Sequence, residues 1–182
     1  LMDSLPRFQV LAKLPDVIVQ GLEAAGIPVE FLASRGLYYR APVQDALAYL
    51  QLLDDYHQSA ALYRVLKWPQ WNVSPADLIL LTHLSNRKSR SLYEICRYHT
   101  AVEGLTDAGR KGLDKLLAQL EKHTALARTK PATEVIHSVL NDTGYLPQLL
   151  LQAETRVGQA ALRDLQAWFG GVRRFEAESA DG

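Results

Sequence analysis

The sequence predicts a mainly α-helical protein with a small β-α-β piece of an α/β domain at its N-terminus. Two short apolar runs within the first 35 residues are typical of strands, and the segment between them carries an apolar stripe at helical spacing. Beyond residue 98, every long segment repeats its apolar residues at helical spacing. Two strands alone do not make a stable sheet, so we expect the piece to belong to a larger sheet and the chain to a longer protein.

Composition is typical of a soluble globular protein, because 48% of the 182 residues are hydrophobic and 22% are charged. Twenty basic residues balance twenty acidic ones, so contact with nucleic-acid phosphates would depend on local basic patches. The one cysteine excludes an internal disulfide, and the five scattered histidines show no metal-binding spacing. No apolar run reaches about 18 residues and no secretory leader opens the sequence, so we expect a cytoplasmic protein without a membrane span.

The β-α-β piece is expected within residues 8–32. Residues 8–12 are an apolar strand candidate, and Pro15 suits the first turn of a helix that ends at Gly26. A second strand candidate begins at Val29. A tight turn at 34–36 then leads to an exposed corner, Tyr38-Tyr39-Arg40, before the next helix.

The rest of the chain predicts a series of helices. Ser74, Pro75 and Asp77 supply a hydroxyl cap, a proline in the first turn and an acid near the helix N-terminus. A polar basic loop is expected at 86–90, and Cys96 is expected to fill the core. The expected helices cover 42–53, 57–67, 75–84, a short segment around 92–96, 106–127, 131–142, 146–153 and 156–175.

Several short motifs, in series, resemble superfamily 1 DNA helicases of the UvrD/Rep/PcrA kind. They are Gly26-Ile27-Pro28, Tyr38-Tyr39-Arg40, Gln44-Asp45 and Tyr49-Leu50, and the likeness spans nearly all 182 residues. The resemblance implies that residues 1–98 are part of the second RecA-like domain, 2A, with a helical extension. It implies that residues 99–182 are a helical 2B-like subdomain.

The resemblance also implies a function. The parent protein would be an ATP-dependent, 3′-to-5′ DNA helicase, and this chain would bind DNA and gate strand separation together with the rest of the helicase chain. The 182 residues contain no Gly-x-x-x-x-Gly-Lys-Ser/Thr loop, so we expect ATP and Mg²⁺ to bind elsewhere in the parent protein and this chain to need no cofactor. Lys13 stands where the family has an arginine that contacts the γ-phosphate of ATP.

The corner Tyr38-Tyr39-Arg40 is the first DNA-binding candidate. Aromatic faces stack on any base and arginine binds phosphates, which suits a nucleic-acid strand. The alternative is that one tyrosine belongs to the core and Arg40 is an ordinary surface charge.

The second candidate is the turn with Gln70, Trp71, Asn72 and Ser74, which resembles the Thr-Pro-x-Arg-Gly-Ile-Gly turn of the family. There, backbone amides and a helix N-terminus face duplex phosphates. This sequence has Trp71, Asn72 and Ser74 where the family has arginine and two glycines, so a buried tryptophan-lined hinge is the alternative.

The third candidate is Thr143-Gly144, which resembles a turn of the 2B subdomain that grips duplex DNA. Glycine after a helix is also the commonest helix stop and needs no ligand.

No catalytic residue and no metal ligand is predicted. The carboxylate pairs Asp54-Asp55 and Glu176/Glu178 have no nearby base, so solvation at helix ends accounts for them. The basic groups Arg87, Lys88, Arg90 and Arg173-Arg174 are expected at the solvated surface.

A different functional class stays open, in which the helical part docks a protein partner. Clustering of the cations on one face would favour DNA, whereas an exposed apolar patch would favour a protein. The cations to compare are Arg40, Lys67, Arg87, Lys88 and Arg90.

Overall fold

The computed structural model describes residues 36–180. Residues 36–38 are helical, and eight α-helices joined by short turns follow them. The helices are α1 Ala41–Asp54, α2 Ser59–Leu66, α3 Pro75–Lys88, α4 Leu92–Arg97, α5 Asp107–Ala127, α6 Ala132–Asp142, α7 Tyr145–Leu151 and α8 Arg156–Ala180. Single 3₁₀ turns at Pro69–Trp71 and His99–Ala101 precede α3 and α5. None of the helices in this range is long and apolar enough to cross a membrane.

The expected helices agree with the structure to within a few residues, with two corrections. The loop expected at 86–90 is wrong at its first three positions, because α3 continues through Lys88. Arg87 and Lys88 therefore lie in the last turn of a helix, where positive charge is favourable. Ser89 ends that helix in the left-handed conformation, with φ of 50°. The last helix is also longer than expected and reaches Ala180.

The mainly helical class is confirmed for the described residues, which contain no β-strand. The expected β-α-β piece, including Lys13, lies outside them. The division at residue 98 stays a prediction. One apolar core extends across that position, from Val43 to Val172.

Helix α1 is the centre of this core. Nine of its fourteen residues are buried, and it packs against α2, α5, α6 and α8. A helix that is apolar on nearly every side must be surrounded by other elements, and α1 meets this requirement.

Helix α5 packs directly on the turn that follows α2. A Cβ placed on Gly112 would lie 1.7 Å from the carbonyl oxygen of Trp71, so only glycine permits this approach. Trp71 is fully buried, and Lys115 of α5 lies 5.5 Å from the centre of its indole ring. The contact fixes the position of the turn relative to α5.

A single buried carboxylate, Asp77, joins the N-termini of α3 and α5. Its oxygens accept hydrogen bonds from the backbone N–H and hydroxyl of Ser74 at 3.1 and 2.8 Å. They also accept from the backbone N–H and hydroxyl of Thr106 at 2.9 and 2.7 Å. Burial raises the pKa of Asp77, but these four hydrogen bonds outweigh it and hold the pKa below its usual range.

Candidate nucleic-acid interface

A cleft of about 1150 Å³ opens between α1, α2 and α7. Its walls are rich in aromatic and amide side chains, which are Tyr38, Tyr39, Tyr63, Trp68, Tyr145, Gln44, Gln51, Gln70, Gln148 and Gln152. Its charged side chains are Asp45, Arg64 and Lys67. The volume exceeds that of a usual small-molecule pocket, so the cleft is suited to an extended ligand.

The corner Tyr38-Tyr39-Arg40 forms one end of this cleft. Tyr38 is half-buried against the core, which raises the pKa of its phenol. Its carbonyl oxygen accepts a 2.6 Å hydrogen bond from Nε2 of Gln44, which holds the corner on α1. Tyr39 is 82% exposed, and the Arg40 side chain is 63% exposed with only a 3.9 Å contact to Asp164. The corner thus combines one anchored tyrosine with two side chains that are open to a ligand.

Helix α2 supplies a second aromatic–basic pair. Tyr63 is 42% exposed, and the Lys67 ammonium lies 5.9 Å from the centre of its ring. The two residues are four positions apart, so they lie on one face, next to the buried face of Leu62 and Leu66. Sequence reasoning did not select Tyr63 as a site residue. The sequence feature that could have identified Tyr63 is its position four residues before Lys67, an aromatic–basic pair on the polar face of a helix.

The charges on the floor of the cleft are largely paired with each other. Asp45 accepts a 2.6 Å hydrogen bond from Nε of Arg64 and a 2.7 Å hydrogen bond from the Tyr145 hydroxyl. Burial and the neighbouring Asp45 carboxylate raise the pKa of Tyr145, so its phenol stays protonated. Lys67 forms no ion pair with the described residues, so it is the cleft cation best placed for an external anion.

The predicted residues of the 70–74 turn separate into exposed and buried groups. Gln70 lies in the cleft wall, and Asn72 is exposed in the left-handed conformation with φ of 53°. Trp71 is buried against α5. The Ser74 hydroxyl both donates to Asp77 and accepts from its backbone N–H. The Asp77 carboxylate therefore already occupies the N-terminus of α3, where an external phosphate would otherwise bind.

Thr143 and Gly144 form the turn between α6 and α7. The Thr143 side chain is fully buried and donates to the carbonyl of Val139 at 2.6 Å. Gly144 has φ of 81°, the left-handed conformation expected of a glycine that ends a helix. The turn sets the direction of α7, whose Gln148 and the following Gln152 line the cleft.

The basic residues of the sequence do not all gather at the cleft. Lys67 lines it and Arg40 lies next to its rim. Arg87, Lys88 and Arg90 are exposed at the end of α3 and are not among the cleft-lining residues. Arg173 and Arg174 are exposed on α8.

A buried chain of polar groups, which sequence reasoning missed, links α1, α5 and α6. Nε2 of His123 lies 3.1 Å from an Asp142 oxygen, and its Nδ1 lies 2.9 Å from the Tyr49 hydroxyl. Because the ionised carboxylate only accepts, Nε2 carries the proton and the tyrosine hydroxyl donates to Nδ1. Tyr49 and His123 are fully buried, so this chain of groups stabilises the core and has no access to a substrate.

Two sequence features bear on possible nucleotide or metal sites. Gly170 and Gly171, the only adjacent glycines in the sequence, lie inside α8 and form no phosphate-binding loop. Between residues 36 and 180, no group of three or more His, Cys, Asp or Glu side chains is arranged to hold a metal ion. Cys96 is buried in the core, and burial raises the pKa of its thiol to about 12.

Comparison with known proteins finds relatives among DNA helicases, although no protein-family model matches the chain. DNA helicase II of Salmonella typhimurium is 21% identical over 165 residues, which are 91% of this chain and 23% of that protein. The ATP-dependent DNA helicase PcrA of Bacillus subtilis is 22% identical over 166 residues, 91% of this chain and 22% of that protein. An ATP-dependent helicase/nuclease from Ruminiclostridium cellulolyticum is 30% identical over 167 residues, 92% of this chain and 13% of that protein.

These relatives are helicases of the UvrD/Rep/PcrA type, so the expected relationship is confirmed at that level. The chain spans less than a quarter of the length of each of these three relatives.

Proposed function

We propose that this chain is a DNA-binding part of an ATP-dependent DNA helicase of the UvrD/Rep/PcrA type. The observation that carries the proposal is the cleft, which brings the predicted residues Tyr38, Tyr39 and Gln70 together with Tyr63 and Lys67. Sequence similarity to helicases along 91% of the chain supports the same function independently.

The cleft suits a single strand at a junction between single-stranded and duplex DNA. Tyr39 and Tyr63 offer exposed ring faces for unpaired bases, and such stacking accepts any sequence. Arg40 and Lys67 offer positive charge for the phosphates between those bases. With so few cations at the cleft, binding is weak and depends on low salt.

Within the longer protein, the chain holds DNA while ATP and Mg²⁺ act elsewhere. In this arrangement residues 1–98 are part of domain 2A, residues 99–182 are a 2B-like subdomain, and Lys13 takes the role of the family's arginine toward the γ-phosphate of ATP. Translocation is 3′-to-5′, and the Thr143-Gly144 turn takes part in strand-separation gating by setting the direction of α7. Asn72 and Gln70 are the members of the 70–74 turn best placed to touch DNA, because Trp71 and Ser74 are engaged inside the fold.

A fluorescence-anisotropy titration of the 182-residue chain with a labelled junction tests the proposal. We expect saturable binding at about 50 mM salt and a large loss of affinity at about 200 mM salt. Tyr39→Ala should weaken binding about fivefold or more, because stacking is worth ~1–3 kcal/mol per base. Tyr98→Ala is the matched control, since Tyr98 is 57% exposed and does not line the cleft.

The charge contribution is tested in the same titration. Lys67→Gln should weaken binding. It should also make the slope of log affinity against log salt shallower by about the amount that one phosphate contact contributes. Lys111→Gln, on the exposed surface of α5, should change neither. Absence of binding by the unaltered chain at low salt would refute the proposed function.

A protein-docking role is the second candidate, and one surface favours it. Leu150, Leu151 and Val157 are 55%, 80% and 77% exposed around the corner between α7 and α8. Side chains of this kind are typical of contact surfaces when they are contiguous. If the unaltered chain does not bind DNA at low salt, the docking role becomes the better account.

A further inference from the structure

Three polar atoms in one wall of the cleft have no hydrogen-bond partner among residues 36–180. They are both amide atoms of Gln70, Oε1 and Nε2, and the indole Nε1 of Trp68. Trp68 is only 4% exposed, and both residues line the cleft. The indole Nε1 of Trp71 in the same turn is also buried without a partner among these residues, but Trp71 does not line the cleft. Because buried polar groups are nearly always paired, an amide in the cleft wall with both polar atoms unpaired points to a partner from outside this part of the chain.

The fold itself does not use the Gln70 amide. Backbone hydrogen bonds close the turn without it, from Trp71 N–H to the Trp68 carbonyl at 3.2 Å and from Asn72 N–H to the Pro69 carbonyl at 3.1 Å. Burying an unpaired amide destabilises a protein, whereas an apolar side chain of similar size would not. Gln70 therefore has no structural role that explains its polarity.

The surroundings of this amide match the chemistry of a nucleobase. The Trp68 ring packs against Tyr145 with 4.5 Å between ring centres, and Gln148 and Gln152 line the same cleft. An amide presents one donor and one acceptor side by side, as the hydrogen-bonding edge of a base does. A phosphate has only acceptors, so it would leave Oε1 of Gln70 unpaired.

We infer that the Gln70 amide binds the hydrogen-bonding edge of one unpaired base of a DNA strand in the cleft. The inference rests on the proposed DNA-binding function and goes beyond it by assigning base contact to this wall. The Gln70 amide reaches the base by a rotamer change, because both of its atoms are shielded from solvent in the unbound chain.

The test compares two strands that differ only in hydrogen bonding. One is oligo(dT), and the other carries 2,4-difluorotoluene, which has the shape of thymine but pairs poorly. The 182-residue chain should bind oligo(dT) about tenfold more tightly, within the range of a good bidentate base contact. Gln70→Leu should bind the two strands equally.

Gln119→Leu is the matched control. The Oε1 of Gln119 is also buried without a partner among the described residues, but this side chain is on α5 and does not line the cleft. It should keep the full preference for oligo(dT). Thermal unfolding provides a second measurement, since Gln70→Leu should melt no lower than the unaltered chain if the amide has no structural role.

The outcomes separate this inference from the proposed function. Binding of oligo(dT) without a preference over the analogue, or a preference that Gln70→Leu retains, would overturn the base contact and leave DNA binding intact. Failure to bind either strand at low salt would overturn both.

Discussion

Substituting alanine for Gly112 tests whether α5 is seated directly on the backbone of the turn after α2. The new Cβ would lie 1.7 Å from the carbonyl oxygen and 2.8 Å from the carbonyl carbon of Trp71. Both atoms are backbone, so no side-chain rotation relieves the clash and α5 must shift away from the turn. Overpacking costs about 1–3 kcal/mol or more, against ~1 kcal/mol gained from the helix preference of alanine. Because the clash is with backbone, we expect a cost near the upper end of that range, about 3 kcal/mol. Subtracting the ~1 kcal/mol gained leaves a net loss of about 2 kcal/mol.

Urea denaturation followed by far-UV circular dichroism measures this loss as a change in the free energy of unfolding. Gly170→Ala and Gly171→Ala are matched controls inside α8, because nothing lies within 4 Å of a Cβ at either position. Each control should stabilise the protein by about 0.5–1 kcal/mol. A Gly112→Ala protein as stable as these controls would refute the packing argument.

Four further predictions follow from the hydrogen-bond networks and from the sequence. Asp77→Ala should lower the free energy of unfolding by about 2–3 kcal/mol in the same assay, because the backbone N–H groups and hydroxyls of Ser74 and Thr106 lose the carboxylate that accepts from them. Burial lowers the pKa of His123, although the neighbouring Asp142 carboxylate opposes this, so the free energy of unfolding should decrease as pH falls below about 6.5. His123→Gln should lose this pH dependence, whereas His83→Gln, at an exposed position, should keep it. The hydrogen bond from Lys122 lowers the pKa of Asp142 to about 2, so urea midpoints should show a second decrease between about pH 4 and 2. The chain should release no phosphate from ATP in a malachite-green assay, with or without DNA, and measurable turnover would contradict the proposed location of the ATP site.

Local signals in the sequence were sufficient for the helices and their caps. Ser74, Pro75 and Asp77 predicted the start of α3, and the structure shows the full capping box. Gly144 was expected as a helix stop, and it has the left-handed conformation. These features depend on residues within one or two turns of each other, so sequence reasoning has access to them.

Contacts between distant segments were not predictable from one sequence. Asp77 was expected only as an acid in a first turn, but its second partner, Thr106, is 29 positions away. Tyr49 and His123 are 74 positions apart, and no periodicity links them. The fit of Gly112 on Trp71 depends on how two elements cross.

The candidate site likewise contains residues that the sequence could predict and residues that it could not. Tyr38, Tyr39 and Arg40 were selected by residue type, and the structure places the two tyrosines in the lining of a cleft and Arg40 next to it. The other wall comes from α2 and α7, whose residues carry no motif, so Tyr63 was missed and Gln148 with it. Trp71 and Thr143 were selected through a resemblance, and the structure buries both side chains, since packing decides burial and motif order does not.

Photo-crosslinking tests the central claim, that a DNA strand lies in this cleft, most directly. The 182-residue chain is irradiated with a single strand carrying 5-iodo-deoxyuridine at low salt, and the crosslinked residues are identified by mass spectrometry. A strand in the cleft predicts crosslinks at Tyr39 and Tyr63 that unlabelled strand competes away, with none at Tyr98. Crosslinks confined to surfaces outside the cleft, with Tyr39 and Tyr63 unmodified, would contradict it.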